Sequence, residues 1–127
     1  AEIGYENKAL EYFQYDLFMD LANVAGNVVD GVHIASAGGV WMRLTYGFGG
    51  MRSYQGTLSF DPRLPKTWSG MRFPLRWGDS RINVDLSHDE YRFELLEGPP
   101  VSCYVCGKEV VIKDDVPLKI VPCSNLD

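Results

Sequence analysis

Residues 70–96 read GMRFPLRWGDSRINVDLSHDEYRFELL, and the period of this stretch decides the fold. Met71, Phe73, Leu75 and Trp77 alternate with Arg72, Pro74 and Arg76. Ile82, Val84 and Leu86 alternate with Arg81, Asn83 and Asp85, and Tyr91, Phe93 and Leu95 continue the pattern. An apolar residue at every second position marks a strand with one buried face. Gly78-Asp79 is a tight hairpin signal, and Gly98-Pro99-Pro100 is a hard break. Pro74 has no N–H to give a ladder, which places its strand at a sheet edge or a bulge. Short runs at 57–60 (TLSF), 101–106 (VSCYVC), 108–112 (KEVVI) and 118–121 (LKIV) extend the series. The expectation is a mainly antiparallel β-sandwich from about residue 55 to 121.

Upstream the period changes. Leu10, Phe13, Leu17 and Leu21 form a helical stripe within residues 6–23. The opposite side carries Tyr12, Tyr15, Phe18 and Met19 among charged residues, so this helix expects neighbours on two sides. A second helix is predicted over residues 36–49. Val40, Trp41, Met42, Leu44, Tyr46 and Phe48 surround it, and Arg43 is its single charge. The class is therefore α+β, with helices in residues 1–52 and the β-domain in 53–127. Tyr12, Phe18, Trp41, Met42, Tyr46 and Phe48 would form an apolar patch, and pairing with a second copy into a homo-oligomer is the expected way to cover it.

Composition narrows the partners. The 127 residues carry a net charge of −5, with 23% charged and 46% hydrophobic residues. Dispersed acidic charge argues against nucleic acid and anionic membrane as partners. No apolar run approaches the roughly 18 to 20 residues that span a bilayer. The opening AEIGYENK has neither methionine nor a secretory pattern, so a chain cut from something longer, in the cytoplasm, is expected. Three cysteines leave one odd and point to a reducing compartment. Cys103 and Cys106 lie three apart on a strand and face opposite ways, so they read as structural buried thiols rather than a metal or redox pair.

The segment DGVHIASAGGVWMRLTYGFGGMR, residues 30–52, holds six glycines in a mostly apolar context. Ser36 is a natural helix N-cap, and the amides of residues 37–39 would be unpaired donors at a helix start. Gly38 and Gly39 admit a close ligand or backbone, and the helix dipole favours an anion there. His33, just ahead, adds a hydrogen bond or a positive charge. The same residues also suit a plain cap with close packing.

GVHIASAGGVW, followed in order by YGFGGMR, LSFDPRLPKTW and MRFPLRW, resembles the C-terminal end of glycoside hydrolase family 65. That family includes the maltose, trehalose and kojibiose phosphorylases and related hydrolases. The resemblance implies that the two helices close an (α/α)6 barrel and that the β-sandwich follows it. It implies an inverting attack of inorganic phosphate on an α-linked glucose disaccharide, with His33, Ser36 and the backbone at Ala37 and Gly38 holding the phosphate. Serine at 36 leans toward the phosphorylases over the hydrolases, whereas Val40 departs from the threonine frequent there. No metal or cofactor is implied.

Inversion needs a carboxylic acid to protonate the leaving oxygen. In the family that glutamate lies in the barrel, and none of Glu6, Glu11, Asp16 or Asp30 sits in a motif for the role. No catalytic residue is assigned here, and the isolated chain is expected to be silent. Two other readings of the β-half stand beside this one. It is a structural brace, or it binds carbohydrate through Trp68, Trp77, Tyr91 and Tyr104, although Trp77 and Tyr91 fall on apolar faces.

Overall fold

A computed structural model describes residues 1–114 and 116–123. Helix α1 (Glu6–Leu21) and helix α2 (Ile34–Met42) come first, with a 3₁₀ turn at Val28–Asp30 between them. Helix α2 widens into a π-helical turn over Arg43–Phe48. The widening has a local cause. Thr45, buried, turns its hydroxyl back to the Trp41 carbonyl at 3.0 Å, and the Gly49 amide reaches the Leu44 carbonyl at 2.8 Å. A side-chain donor inserted into the helical ladder displaces the ordinary register.

Eight strands follow: β1 (Met51–Tyr54), β2 (Thr57–Phe60), β3 (Gly70–Trp77), β4 (Ser80–Ser87), β5 (Tyr91–Glu97), β6 (Val101–Val105), β7 (Lys108–Ile112) and β8 (Leu118–Ile120). They form two four-stranded sheets, ordered β1-β2-β6-β7 and β3-β4-β5-β8. All pairings are antiparallel except β2 with β6, where Leu58, Ser59 and Phe60 run alongside Cys103, Tyr104 and Val105. The α+β class and the mainly antiparallel sandwich are those read from the sequence. Strand β1 and the parallel pairing are additions to that reading.

The period-two residues point where their spacing directs. Phe73, Leu75, Ile82, Val84, Leu86, Tyr91, Phe93 and Leu95 are buried from one sheet. Met51, Leu58, Phe60, Val101, Cys103, Val105 and Ile112 are buried from the other. Phe60 and Phe93 meet with ring centroids 5.0 Å apart. Pro74 lies on β3, an edge strand, where its missing N–H breaks no ladder. Gly78 opens the β3–β4 hairpin with φ 57°, and Gly98 turns the chain from one sheet to the other at φ 92°.

The helices attach through an aromatic knot. Phe13 of α1 packs on Phe48 and on Trp68, each at 5.6 Å, and Phe48 and Trp68 lie 4.9 Å apart. Phe48 is 2% exposed and Phe13 5%, so the first of the expected patch residues is folded back onto the β-domain. Tyr46 is half-buried against the core. Tyr12, Phe18, Trp41 and Met42 remain exposed, together with Leu21, which the stripe reading had placed inward.

Two further expectations are corrected. Ser36 does not cap α2. The helix starts at Ile34 with His33 in the capping position, because Asp20 of α1 already holds the His33 amide. Nor are all three cysteines thiols. Cys106 and Cys123 form a disulfide with Cα atoms 5.5 Å apart, joining the β6–β7 turn to the segment after β8. Cys103 is a buried thiol within β6, whereas Cys106 lies just past the strand in the β6–β7 turn at φ 51°, so strand period does not govern its direction. Burial pushes the Cys103 thiol up to about 11, which keeps it protonated and unreactive.

Gly49 and Gly50 carry the chain from the helical turn into β1. Gly50 adopts φ 61°, and a Cβ placed there would overlap the Asp61 carbonyl, whose own amide donates to Gly50 at 3.1 Å. Gly50→Ala should cost about 3 kcal/mol or more, from the positive φ and the backbone clash together. Gly56, at φ 77° in open space, is the matched control; its alanine variant should cost about 1 kcal/mol. Urea unfolding followed by tryptophan fluorescence separates the two, and equal losses would refute the close-approach explanation.

Candidate functional site

The start of α2 is built by α1 from beneath. Asp16 and Asp20 are one turn apart on α1 and both face α2. Asp20 grips His33 twice, accepting the backbone amide at 3.0 Å on one oxygen and pairing with ring Nδ1 through the other. Asp16 pairs with Arg43. The Ser36 hydroxyl donates to the Asp16 carbonyl at 3.4 Å. Arg43 and His33 thus engage the two α1 carboxylates that face α2.

Each predicted site residue lies at this helix start, with altered roles. His33 is half-buried with Nδ1 occupied, which leaves Nε2 as the ring nitrogen able to meet a ligand. Ser36 is half-buried and inside the first turn. Ala37 is exposed, but its amide donates to the His33 carbonyl at 3.1 Å and is no longer free. By helix geometry the donors without intrahelical acceptors fall earlier, at Ala35 and Ser36. Gly38 is exposed and a Cβ there would meet nothing within 4 Å, whereas at Gly39 it would press on the Arg43 guanidinium at 3.0 Å. Packing within this chain therefore explains Gly39 and not Gly38.

Asp20 was not among the residues singled out from sequence. The available signal was the Asp16–Asp20 spacing on a helix whose other faces are apolar. Nothing local says that a residue 13 positions downstream is its partner.

The helix start is open. Three cavities of about 480, 400 and 500 Å³ lie elsewhere, and neither His33, Ser36, Ala37 nor Gly38 lines any of them. This chain supplies one wall only. The aromatic row that sugar binding would need is also absent from the β-domain. Trp68 is in the knot, Tyr91 is buried and Trp77 packs on the core, so of these four only Tyr104 is exposed; Tyr54, also exposed on the outer face of the same sheet, makes no ring contact with it.

Comparison with known proteins now supplies the family. Residues 51–112 match the profile described as glycosyl hydrolase family 65, C-terminal domain. The chain carries that C-terminal domain. An α,α-trehalose phosphorylase of Thermoanaerobacter brockii is 44% identical over 112 residues, covering 88% of this chain and 14% of the relative. A maltose phosphorylase of Bacillus subtilis is 37% identical over 113 residues, covering 89% of this chain and 15% of the relative. A solved chain provisionally described as a kojibiose phosphorylase from the human microbiome superposes with a TM-score of 0.85 at 26% identity, covering 94% of this chain and 16% of its own length. The family-65 domain here thus spans about one-seventh of the curated relatives it matches. No helix among its described residues is long and apolar enough to cross a membrane.

The Asp20–His33 clasp has a pH signature. Asp20 titrates below the ordinary 3.8, chiefly through the hydrogen bond with the His33 side chain, against an opposing effect of burial. A carboxyl held low contributes stability that is complete above its unfolded value and is lost as pH falls through the folded one. The amide resonance of His33 should therefore shift as pH drops below 3.8, releasing the start of α2 while the β-core stays folded. Asp20→Asn should remove that acid step. A step that persists in the variant would show that another group governs the helix start.

Proposed function

We propose that this chain is the C-terminal part of an inverting α-glucoside phosphorylase of family 65, working with inorganic phosphate on an α-linked glucose disaccharide. Residues 1–52 would close an (α/α)6 barrel, and residues 53–127 would brace it. The observation that carries the reading is that relatives named as phosphorylases match nearly the whole chain, across the His33 segment as well as the β-domain.

The geometry at α2 supports the phosphate-binding role. Phosphate is a dianion near neutral pH and needs donors with no unpaired carboxylate beside them. Asp16 and Asp20 are paired by Arg43 and His33, which removes that obstacle. The helix N-terminus offers amide donors, and Gly38 lets an anion approach without meeting a side chain. His33, fixed at Nδ1 by Asp20, presents Nε2 in a set direction and donates from it when the ring is protonated. In an inverting displacement, phosphate attacks from the face opposite the leaving oxygen. The work assigned to His33, to Ser36 with the free amides at Ala35 and Ser36, and to the open approach over Gly38 is to hold the nucleophile in that line, whereas the Ala37 amide, already bonded to His33, closes the first helical turn behind them. The proton donor and sugar-binding walls would lie in the barrel.

The isolated chain should release no glucose 1-phosphate from maltose, trehalose or kojibiose with phosphate, because it lacks the proton donor. In the longer parent, His33→Ala should lower kcat/KM for phosphate on the order of 10- to 100-fold, the loss of one hydrogen bond to a charged group. Full activity in that variant would remove His33 from the site. Turnover by the isolated chain, with contaminating enzyme excluded, would overturn the division of labour. The exposed Tyr12, Phe18, Trp41 and Met42 should make the isolated chain self-associate, read by light scattering across a dilution series.

A further inference from the structure

A polar cluster away from the α2 start surrounds the disulfide. The two sulfurs of Cys106 and Cys123 and a carboxylate oxygen of Asp61 lie within 4.8 Å of one another. They line a cavity of about 480 Å³ together with Glu2, Arg52, Arg63 and Tyr104. Both cysteines are half-exposed and Asp61 is exposed, so reductant and ions reach the cluster from solvent.

We propose that, once the disulfide is reduced, Cys106, Cys123 and Asp61 form a binding site for a thiophilic divalent cation such as zinc. The reduction is an exchange: a small dithiol gives two electrons and two protons, leaving two cysteine thiols and becoming a cyclic disulfide itself. Zinc then displaces the two thiol protons and gains two thiolates and one carboxylate. With Zn–S bonds of about 2.3 Å and Zn–O of about 2.0–2.2 Å, tetrahedral ligands sit roughly 3.5 to 3.8 Å apart. Once the sulfurs are no longer bonded, rotation of the three side chains opens them to that range, with the β6–β7 turn and the segment after Phe60 left in place.

Three further observations fit the site. Arg63 donates to one oxygen of Asp61 at 2.9 Å, which orients the carboxylate and leaves the other oxygen for a metal. It also offsets the surplus negative charge of two thiolates and a carboxylate around a dication. Glu2, on the same cavity wall, is engaged by Arg52 at 2.6 Å, so the fourth position falls to water. The backbone of two of the three ligands is pinned independently of the sulfurs. Cys106 donates its amide to Phe60 at 2.9 Å, and Asp61 is tied to Gly50. The apolar core takes in both sheets with Cys106 and Cys123 only at its margin, so reduction leaves the domain folded.

Cobalt(II) and zinc(II) on the full chain test this. The chain is reduced with a phosphine, desalted without oxygen, and checked for folding by circular dichroism. Cobalt should produce a thiolate-to-cobalt charge-transfer band that zinc erases and magnesium does not. The oxidised chain should give no band, and Cys123→Ser should lose it. Asp61→Asn, which keeps both thiols, should weaken zinc binding at least about tenfold. No band from the reduced, folded chain would overturn the proposal, as would a pair that resists reduction in the folded state. Unchanged zinc affinity in Asp61→Asn would remove the carboxylate and, with it, the site as described.

Discussion

The contact on which the rest depends is the backbone approach of Gly50 to Asp61. Two polypeptide segments meet there with no room for a side chain, and each gives the other a hydrogen bond or a wall. From that point the helical turn leads one way and β1 the other. Two residues away on each segment, the Arg63 amide donates to the Phe48 carbonyl at 2.8 Å and extends the seam. Phe48 is thereby delivered into the knot with Phe13 and Trp68, and α1 is bound to the β-domain through rings that sit at contact distance. Gly49 and Gly50 thus serve architecture, whereas Gly38 is not needed by any packing among the described residues. The same residue type has two explanations within 13 positions, and only the structure separates them.

A second layer of order is polar and depends on the first. Once Phe13 is fixed, α1 has one azimuth left, and it turns Asp16 and Asp20 toward α2. Their pairing with Arg43 and His33 sets where α2 begins. The helix start is decided by a carboxylate on another element, which is why a local capping rule gave the wrong residue. Ser36 satisfies the sequence preference for an N-cap, but the Asp20 grip on the His33 amide begins the helix two residues earlier than Ser36 itself. The consequence for chemistry is a histidine whose orientation is inherited from α1 and, through Phe13, from the β-domain.

The strands were the legible part. A side chain's face on a strand depends only on odd or even position, so 70–96 could be read residue by residue, and Pro74 even announced its edge. Strand β1 was missed because MRSY buries only Met51 and shows no alternation. The parallel alignment of β2 with β6 was missed because pairing between strands some 40 residues apart leaves no local trace. The disulfide was missed for the same reason: Cys106 and Cys123 are brought together by two sheets, and spacing alone favoured the nearer Cys103. At the site, the residue types were legible and the geometry was not. Asp20 acquires its role only from three-dimensional neighbours.

The distribution of exposed apolar surface adds a final constraint on how the parts work. The β-domain hides its large side chains well, with the core shared between two sheets, while α1 and α2 leave Tyr12, Phe18, Trp41 and Met42 in solvent. Each such side chain, if covered, contributes roughly 1.5 to 3 kcal/mol. The wet face is therefore a reserve of association energy that the knot does not use. The α1–α2 pair is held to the β-domain through Phe13 and Phe48, so the wet face lies on the side of the helices away from the knot. The open wall at His33 belongs to that pair. Its orienting group, Asp20, travels with α1, so His33 keeps its direction relative to α2 for as long as the two helices move together. This makes the Asp20–His33 clasp, rather than any contact with the β-domain, the feature that fixes where Nε2 points at the start of α2.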